Sequence, residues 1–249
     1  AVFLDAVVPY AVINEKRDIV WGWRRRLHQL FAPIVANASS AYQAAQRIVS
    51  VLPTTQLSSA VTTTGEEQQP QWGPPITWHS GSSPGLLSPE QVALWGGSCT
   101  GTGVLLVVAL RSVGVAARLA GCSESVVAGD DHHWVEFYDP SYPGSPFGDG
   151  WHTREGVSRG DEQGPWDAPS APMNGCLQGV QPGDRMHTIW ASSWVSNEVQ
   201  PLLWASDAYA ARWGRVGGIN RCGAYCTAWG CGQGQTHRYT QQQCAPSPV

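Results

Sequence analysis

Charge is scarce in this sequence: charged residues make up 14% of its 249 positions, and lysine occurs once, at Lys16. The net charge is −4, and the one basic run, Arg24-Arg25-Arg26, lies inside a helical pattern. The basic face that a nucleic-acid binder presents is therefore missing. No apolar stretch approaches the ~18 to 20 residues of a membrane-spanning helix. Scarce charge does not mean disorder here, because 42% of the residues are hydrophobic and 13 are tryptophan. With 28 glycines and 18 prolines the chain is too rich in loops for a helical bundle. Its length suffices to bury a substantial core, which predicts one domain with an appendage.

Seven cysteines, at positions 99, 122, 176, 222, 226, 231 and 244, form an odd set. With Cys99 set aside, six remain, enough for three disulfides. The sequence opens at Ala1 without a methionine, as a processed secretory product would, and Asn37-Ala38-Ser39 is an acceptor sequon for an N-glycan at Asn37. Together these features predict an oxidising, secreted location. The tail cysteines Cys222, Cys226, Cys231 and Cys244 lack the Cys-x2-Cys pairs of a zinc knuckle, so disulfides are the favoured reading. Spacing alone does not give their connectivity.

Helical periodicity appears twice between residues 15 and 50, first at Leu27, Phe31 and Ile34, then over Ala41 to Val51. Residues 53 to 87 read as a long surface loop. Ser88-Pro89-Glu90-Gln91 then starts a short helix that ends at Gly96-Gly97. A strongly apolar helix is predicted from about Thr100 to Val113, stopped by Gly114. Strands follow at Val115 to Leu119, His133 to Tyr138 and from Trp151, the last two joined by a Pro- and Gly-rich hairpin. A helix followed by an antiparallel sheet predicts an α+β fold. Ser158 to Pro182 reads as loop, and Pro201 to Trp213 as a helix in a Trp-rich segment. The tryptophans at 190, 194, 204 and 213 read as core and groove lining rather than a sugar platform.

Chemistry concentrates at Gly96-Gly97-Ser98-Cys99 and Asp130-Asp131-His132-His133-Trp134-Val135-Glu136. A thiol opening a helix sits among free N–H groups at the positive end of the dipole, which lowers its pKa. The same N–H groups could stabilise an oxyanion. A nearby imidazole would hold the thiolate and carry its proton, giving a nucleophile for amides and esters. Strand alternation predicts that one of His132 and His133 points at Cys99 and the other packs or faces solvent. A histidine pair can also bind metal, but no third ligand stands at a recognisable spacing, so no metal and no cofactor are expected. Glu136 reads as an alternating strand residue, solvated or paired with Arg118.

The Gly-x-Ser-Cys99 turn, Arg111-Ser-Val-Gly114-Val-Ala-Ala-Arg118 and His132-x-Trp134-x-Glu136 together resemble the transglutaminase-like superfamily, over roughly residues 5 to 160. The resemblance implies a papain/transglutaminase-like core over residues 1–160, with a Trp- and Cys-rich extension, 161–249, packed on it. It also implies a catalytic triad of Cys, His and an acid. The His-x-Trp-x-Glu match gives the base role to His132. In the family the acid is an Asp four residues after a Trp on the returning strand. Here that register gives Glu155, with Asp149 as the rival on the same strand parity.

The implied function is a secreted thiol acyltransferase or hydrolase acting on carboxamide or peptide bonds of a protein or peptide substrate. The single lysine makes the chain a poor amine donor for isopeptide crosslinks to itself. The alternative is a non-catalytic structural module, built on the same fold and surrounded by extracellular structural partners.

Overall fold

The computed structural model describes residues 2–9, 12–13, 23–54, 76, 78, 89–123, 131–157, 164–180, 187–196 and 217–229. The elements in chain order are helices α1 (Val2–Ala6), α2 (Trp23–Val35), α3 (Ala41–Val51), α4 (Pro89–Trp95) and α5 (Cys99–Ser112), then strands β1 (Ala117–Cys122), β2 (His132–Tyr138) and β3 (Trp151–Glu155). Helix α6 (Ala171–Gly179), strands β4 (Trp190–Ser193) and β5 (Gly217–Asn220), and helix α7 (Cys222–Trp229) follow. This is the expected α+β fold. The helix read at Pro201 to Trp213 lies outside the described residues, as does most of the loop read at 53 to 87.

Helix α5 is apolar nearly all round, and Val104 to Leu110 are all buried. A helix with no polar face must be covered on every side. Helices α2, α3 and α4 cover it on one side, and Leu119, Val135 and Phe137 of the sheet cover it on the other. It ends in a Schellman motif: Gly114, at φ 86°, donates to Arg111 O and Val115 donates to Leu110 O, both at 3.1 Å. Arg111 Nε donates to Ala117 O at 2.8 Å, which ties the helix end to the start of β1.

The sheet is antiparallel with strand order β3-β2-β1-β4-β5. Alternation sorts β2 between two cores. Val135 and Phe137 face α5, whereas Trp134 joins Ala120, Cys122, Met173, Leu177 and Tyr225 under α6 and α7. The stretch beyond residue 160 therefore contributes two strands to the sheet itself as well as helices packed on it.

One reading changes. Ala171–Gly179 is a helix, where Ser158 to Pro182 had been expected to be loop. Its start is marked by Ser170, which accepts from Met173 N, and by a proline in the first turn. Trp190 lies in β4 and is fully buried, as its reading as core predicts. The cysteine-rich tail begins as helix α7, locked onto β2 by Trp134 Nε1 donating to Tyr225 Oη at 2.6 Å.

Cys122 and Cys176 form a disulfide joining β1 to α6. A closed loop of this size restricts the unfolded chain by about 4 kcal/mol in the chain-entropy model. Cys222 and Cys226 stand one turn apart with sulfurs 3.5 Å apart, and neither is a free thiol. Cys231 and Cys244 lie outside the described residues.

The second core is organised by Glu136, which is fully buried. Arg118 Nη2 lies 2.7 Å from its Oε2, and Arg221 Nε lies 2.9 Å from its Oε1. Burial would raise its pKa, but the two guanidinium groups outweigh that and lower it. Sequence reasoning allowed Glu136 to be solvated; it is instead sealed between Arg118 and Arg221. Replacing it leaves Arg118 buried without its carboxylate and Arg221 with Asp149 alone. Glu136→Ala is expected to cost about 3 to 5 kcal/mol in denaturant unfolding, and a loss below about 1 kcal/mol would contradict this account.

Candidate active site

Cys99 is the first residue of α5 and, among the described residues, the free cysteine. The chain reaches it through a tight path: Gly97 bridges to the backbone of Trp78, and Ser98 is the N-cap in extended conformation. The thiol is partly exposed. Immediately after it, Thr100 is buried and places its hydroxyl 4.0 Å from Cys99 Sγ.

Strand β3 approaches the same helix end. A Cβ on Gly156, just after Glu155, would lie 2.3 Å from Thr102 Oγ1 and 2.7 Å from Gly103 N. Only a glycine lets the strand end lie against the first turn of α5, and this contact brings the Glu155 carboxylate to the site.

The register pairs Trp134 with Glu155, so Glu155 shares a sheet face with His132 and sits diagonally from it. His132 Nε2 lies 3.2 Å from Glu155 Oε1 and 3.1 Å from Oε2. An ionised carboxylate only accepts, so Nε2 carries the proton and Nδ1 is the ring nitrogen left for exchange with sulfur. The hydroxyl of Ser170, the N-cap of α6, donates to Glu155 Oε1 and accepts from Met173 N. Asp149, the rival carboxylate, is committed elsewhere: it accepts from Arg221 Nη1 at 2.7 Å and from Trp151 N at 3.1 Å.

His133 is fully buried on the opposite side of β2. Its Nδ1 lies 3.0 Å from Thr100 Oγ1 and 3.1 Å from Asp131 Oδ2. The expectation that only one histidine acts on Cys99 needs correcting. Both influence the sulfur through hydrogen bonding and charge, although they lie on opposite sides of β2.

Burial pushes the Cys99 thiol up, but hydrogen bonding from His132, then His133, and their positive charges outweigh it and bring it down to about 6. Burial pushes His132 down, but Cys99 and Glu155 hold it up at about 9. Burial likewise opposes His133, which Asp131 and Cys99 hold at about 9. The arrangement can therefore store a thiolate–imidazolium pair between about pH 6 and 9. No group of three or more metal-ligating side chains occurs among the described residues. No helix there is long and apolar enough to cross a membrane.

Cys99, His132 and Glu155 thus lie together. Three neighbours escaped sequence reasoning: Thr100, Asp131 and Ser170. Asp131 adjoins the histidines and could have been suspected, whereas Ser170 carried only a helix-start signal.

The family model of the transglutaminase-like superfamily matches residues 28–152, half of the chain, and the chain belongs to that superfamily. Membership supports a cysteine-dependent enzyme. Among curated proteins none matches. A crystal structure of a candidate cysteine protease from Cytophaga hutchinsonii aligns at 15% identity and TM-score 0.36, covering 54% of this chain and 37% of that one.

Two outcomes follow from this geometry. The rate of Cys99 alkylation by iodoacetamide should rise through a midpoint near pH 6, because the thiolate forms there; a midpoint above 8 contradicts the ion pair. Ser170→Ala should cost about 1 kcal/mol of stability through the lost cap. It should also shift the His132 titration followed by NMR, since Glu155 loses the donor that fixes it; an unmoved titration assigns Ser170 to capping alone.

Proposed function

We propose that this member of the transglutaminase-like superfamily is a thiol acyltransferase or hydrolase that cleaves carboxamide or peptide bonds of proteins. The catalytic residues are Cys99 as nucleophile, His132 as acid and base, and Glu155 as the group that orients His132. The observation that carries this reading is the pair of contacts from His132 Nε2 to Glu155, at 3.1 and 3.2 Å, beside a thiol held at about 6.

The thiolate attacks the carbonyl carbon, forming a C–S bond and an oxyanion. The first-turn N–H groups of α5, which point out of the helix, are the available donors to that oxygen. The imidazolium of His132 gives its Nδ1 proton to the leaving nitrogen as the C–N bond breaks. Ammonia or an amine departs and a thioester remains. Neutral His132 then takes a proton from water or an acceptor amine, which attacks the thioester and releases the acyl product. Sulfur leaves as thiolate, and the ion pair is restored.

A secreted location is part of the proposal, supported by the Cys122–Cys176 disulfide, a bond that persists in oxidising compartments. Asn37 is exposed, as an N-glycan acceptor must be.

The test is turnover of glutamine-containing peptides, with ammonia release and amine incorporation measured side by side. Activity should be bell-shaped, rising near pH 6 as Cys99 ionises and falling near pH 9 as His132 loses its proton. Cys99→Ala should abolish turnover. Glu155→Gln should lower kcat by about 10²- to 10⁴-fold, as for orienting carboxylates in other triads. Full activity in Cys99→Ala would sink the proposal.

A further inference from the structure

The two histidines do not have the same surroundings, and the difference assigns them different work. His132 is tied to Glu155 through Nε2 and can exchange a proton through Nδ1. His133 is tied through its other nitrogen: Nδ1 meets Asp131 Oδ2 at 3.1 Å and Thr100 Oγ1 at 3.0 Å. Because Asp131 can only accept, Nδ1 carries a proton, and the Thr100 hydroxyl is free to turn its own hydrogen toward Cys99 Sγ, 4.0 Å away. The remaining nitrogen, His133 Nε2, is buried and has no hydrogen-bond partner. Its pull on Cys99 is a loose contact with the sulfur, in which hydrogen bonding comes before charge. A buried polar atom left without a well-formed bond is unfavourable, so its retention needs a reason.

The space for this ring is also built. Gly121, its cross-strand partner in β1, would place a Cβ 2.9 Å from His133 Cδ2. The charged and titratable groups around His133 are Asp131 from the preceding turn, Cys99 from α5, and His132 beside it in β2, whose own partner is Glu155. Its facing residue in β1, Gly121, brings no charge.

We propose that His133, held by Asp131 and Thr100, is a second imidazolium that keeps Cys99 ionised without exchanging its proton, while His132 alone moves the proton. Such a residue positions charge and is not itself an acid or base of the reaction. The division of labour follows from access. The His133 side chain is fully enclosed and its Nε2 is closed to solvent, whereas the His132 side chain keeps 10% exposure. Two cations beside one sulfur also explain how a largely buried thiol is held at about 6 against its burial. This inference rests on the proposed nucleophile role of Cys99, but its test needs no amide substrate.

The test is the pH dependence of Cys99 alkylation by iodoacetamide in His133→Gln, His132→Gln and Asp131→Asn, with folding checked by circular dichroism. His133→Gln should move the acid midpoint up by about one unit or more, leave the high-pH rate near the parent's, and keep proton transfer. Asp131→Asn, at a partly exposed residue, should fold and move the midpoint in the same direction by less. A merely structural histidine would change the amount of folded protein without moving the midpoint of what remains. If His133→Gln fails to fold, Asp131→Asn decides: an unmoved midpoint in a folded Asp131→Asn, or in a folded His133→Gln, overturns the assignment. If the parent protein turns over no amide while these midpoints move as stated, the acyl-transfer reading fails and the two-imidazolium site stands.

Discussion

Because α5 is apolar on all sides, it can be stable only when enclosed, and its enclosure fixes where both of its ends lie. At the far end the Schellman turn at Gly114 and the Arg111 bond to Ala117 O feed the chain directly into β1. At the near end the same burial brings the first turn of the helix against the start of β2 and the end of β3. A thiol at the first helical position is thus delivered to the sheet edge by hydrophobic packing, not by any contact of its own. The proposed chemistry then needs only what that edge supplies: a histidine at the first residue of β2 and a carboxylate at the last residue of β3. The direct backbone approach at Gly156 converts a packing contact into catalytic register.

Burial and access are divided along this edge. Nearly complete enclosure would leave Cys99 a weakly acidic thiol, as desolvation alone dictates. Hydrogen bonding and charge from two imidazoles reverse the sign of the shift. The carboxylates behind the imidazoles, Glu155 and Asp131, are each less buried than the rings they hold, with 19% and 22% side-chain exposure against 10% and 0%. Water can therefore solvate the negative ends, while the positive charges are presented inward to the sulfur.

Much of this was legible in the sequence because the signals were local. Apolar saturation marked α5, Gly114 marked its end, and Gly-Gly-Ser before Cys99 marked an exposed turn. The α3 boundaries at Ala41 and Val51 followed from periodicity alone. The register from Trp151 to Glu155 could be counted because a strand has a fixed period. What was not legible depends on contacts between distant segments. Helix α6 lies in a stretch rich in Gly and Pro, where Ser170 and Pro172 start a helix that only burial of Met173, Cys176 and Leu177 stabilises. The role of Ser170 in holding Glu155 arises from that docking. Strand alternation misled at the histidines, which lie on opposite sides of β2 yet both act on the sulfur.

Two ionic clusters share one face of β2 and use carboxylates in opposite ways. Glu136 is sealed between Arg118 and Arg221, and Arg118 also lies over the Trp151 ring at 3.8 Å. Guanidinium groups stay charged at any pH the protein meets, so this cluster is fixed in charge and fixes β1, β2 and the start of α7 in place. It also holds Asp149 through Arg221, removing that carboxylate from competition for His132. Glu155 instead faces an imidazole, a group whose proton can leave, and keeps contact with solvent. Separating permanent from exchangeable cations along one strand lets the frame stay rigid through the pH range in which the site titrates. Had the partners been exchanged, an arginine facing Glu155 would have kept its proton and served as neither acid nor base, and a histidine facing Glu136 would have unlocked the sheet as it lost its charge. The placement of the arginines is thus part of what makes the acid of the site Glu155.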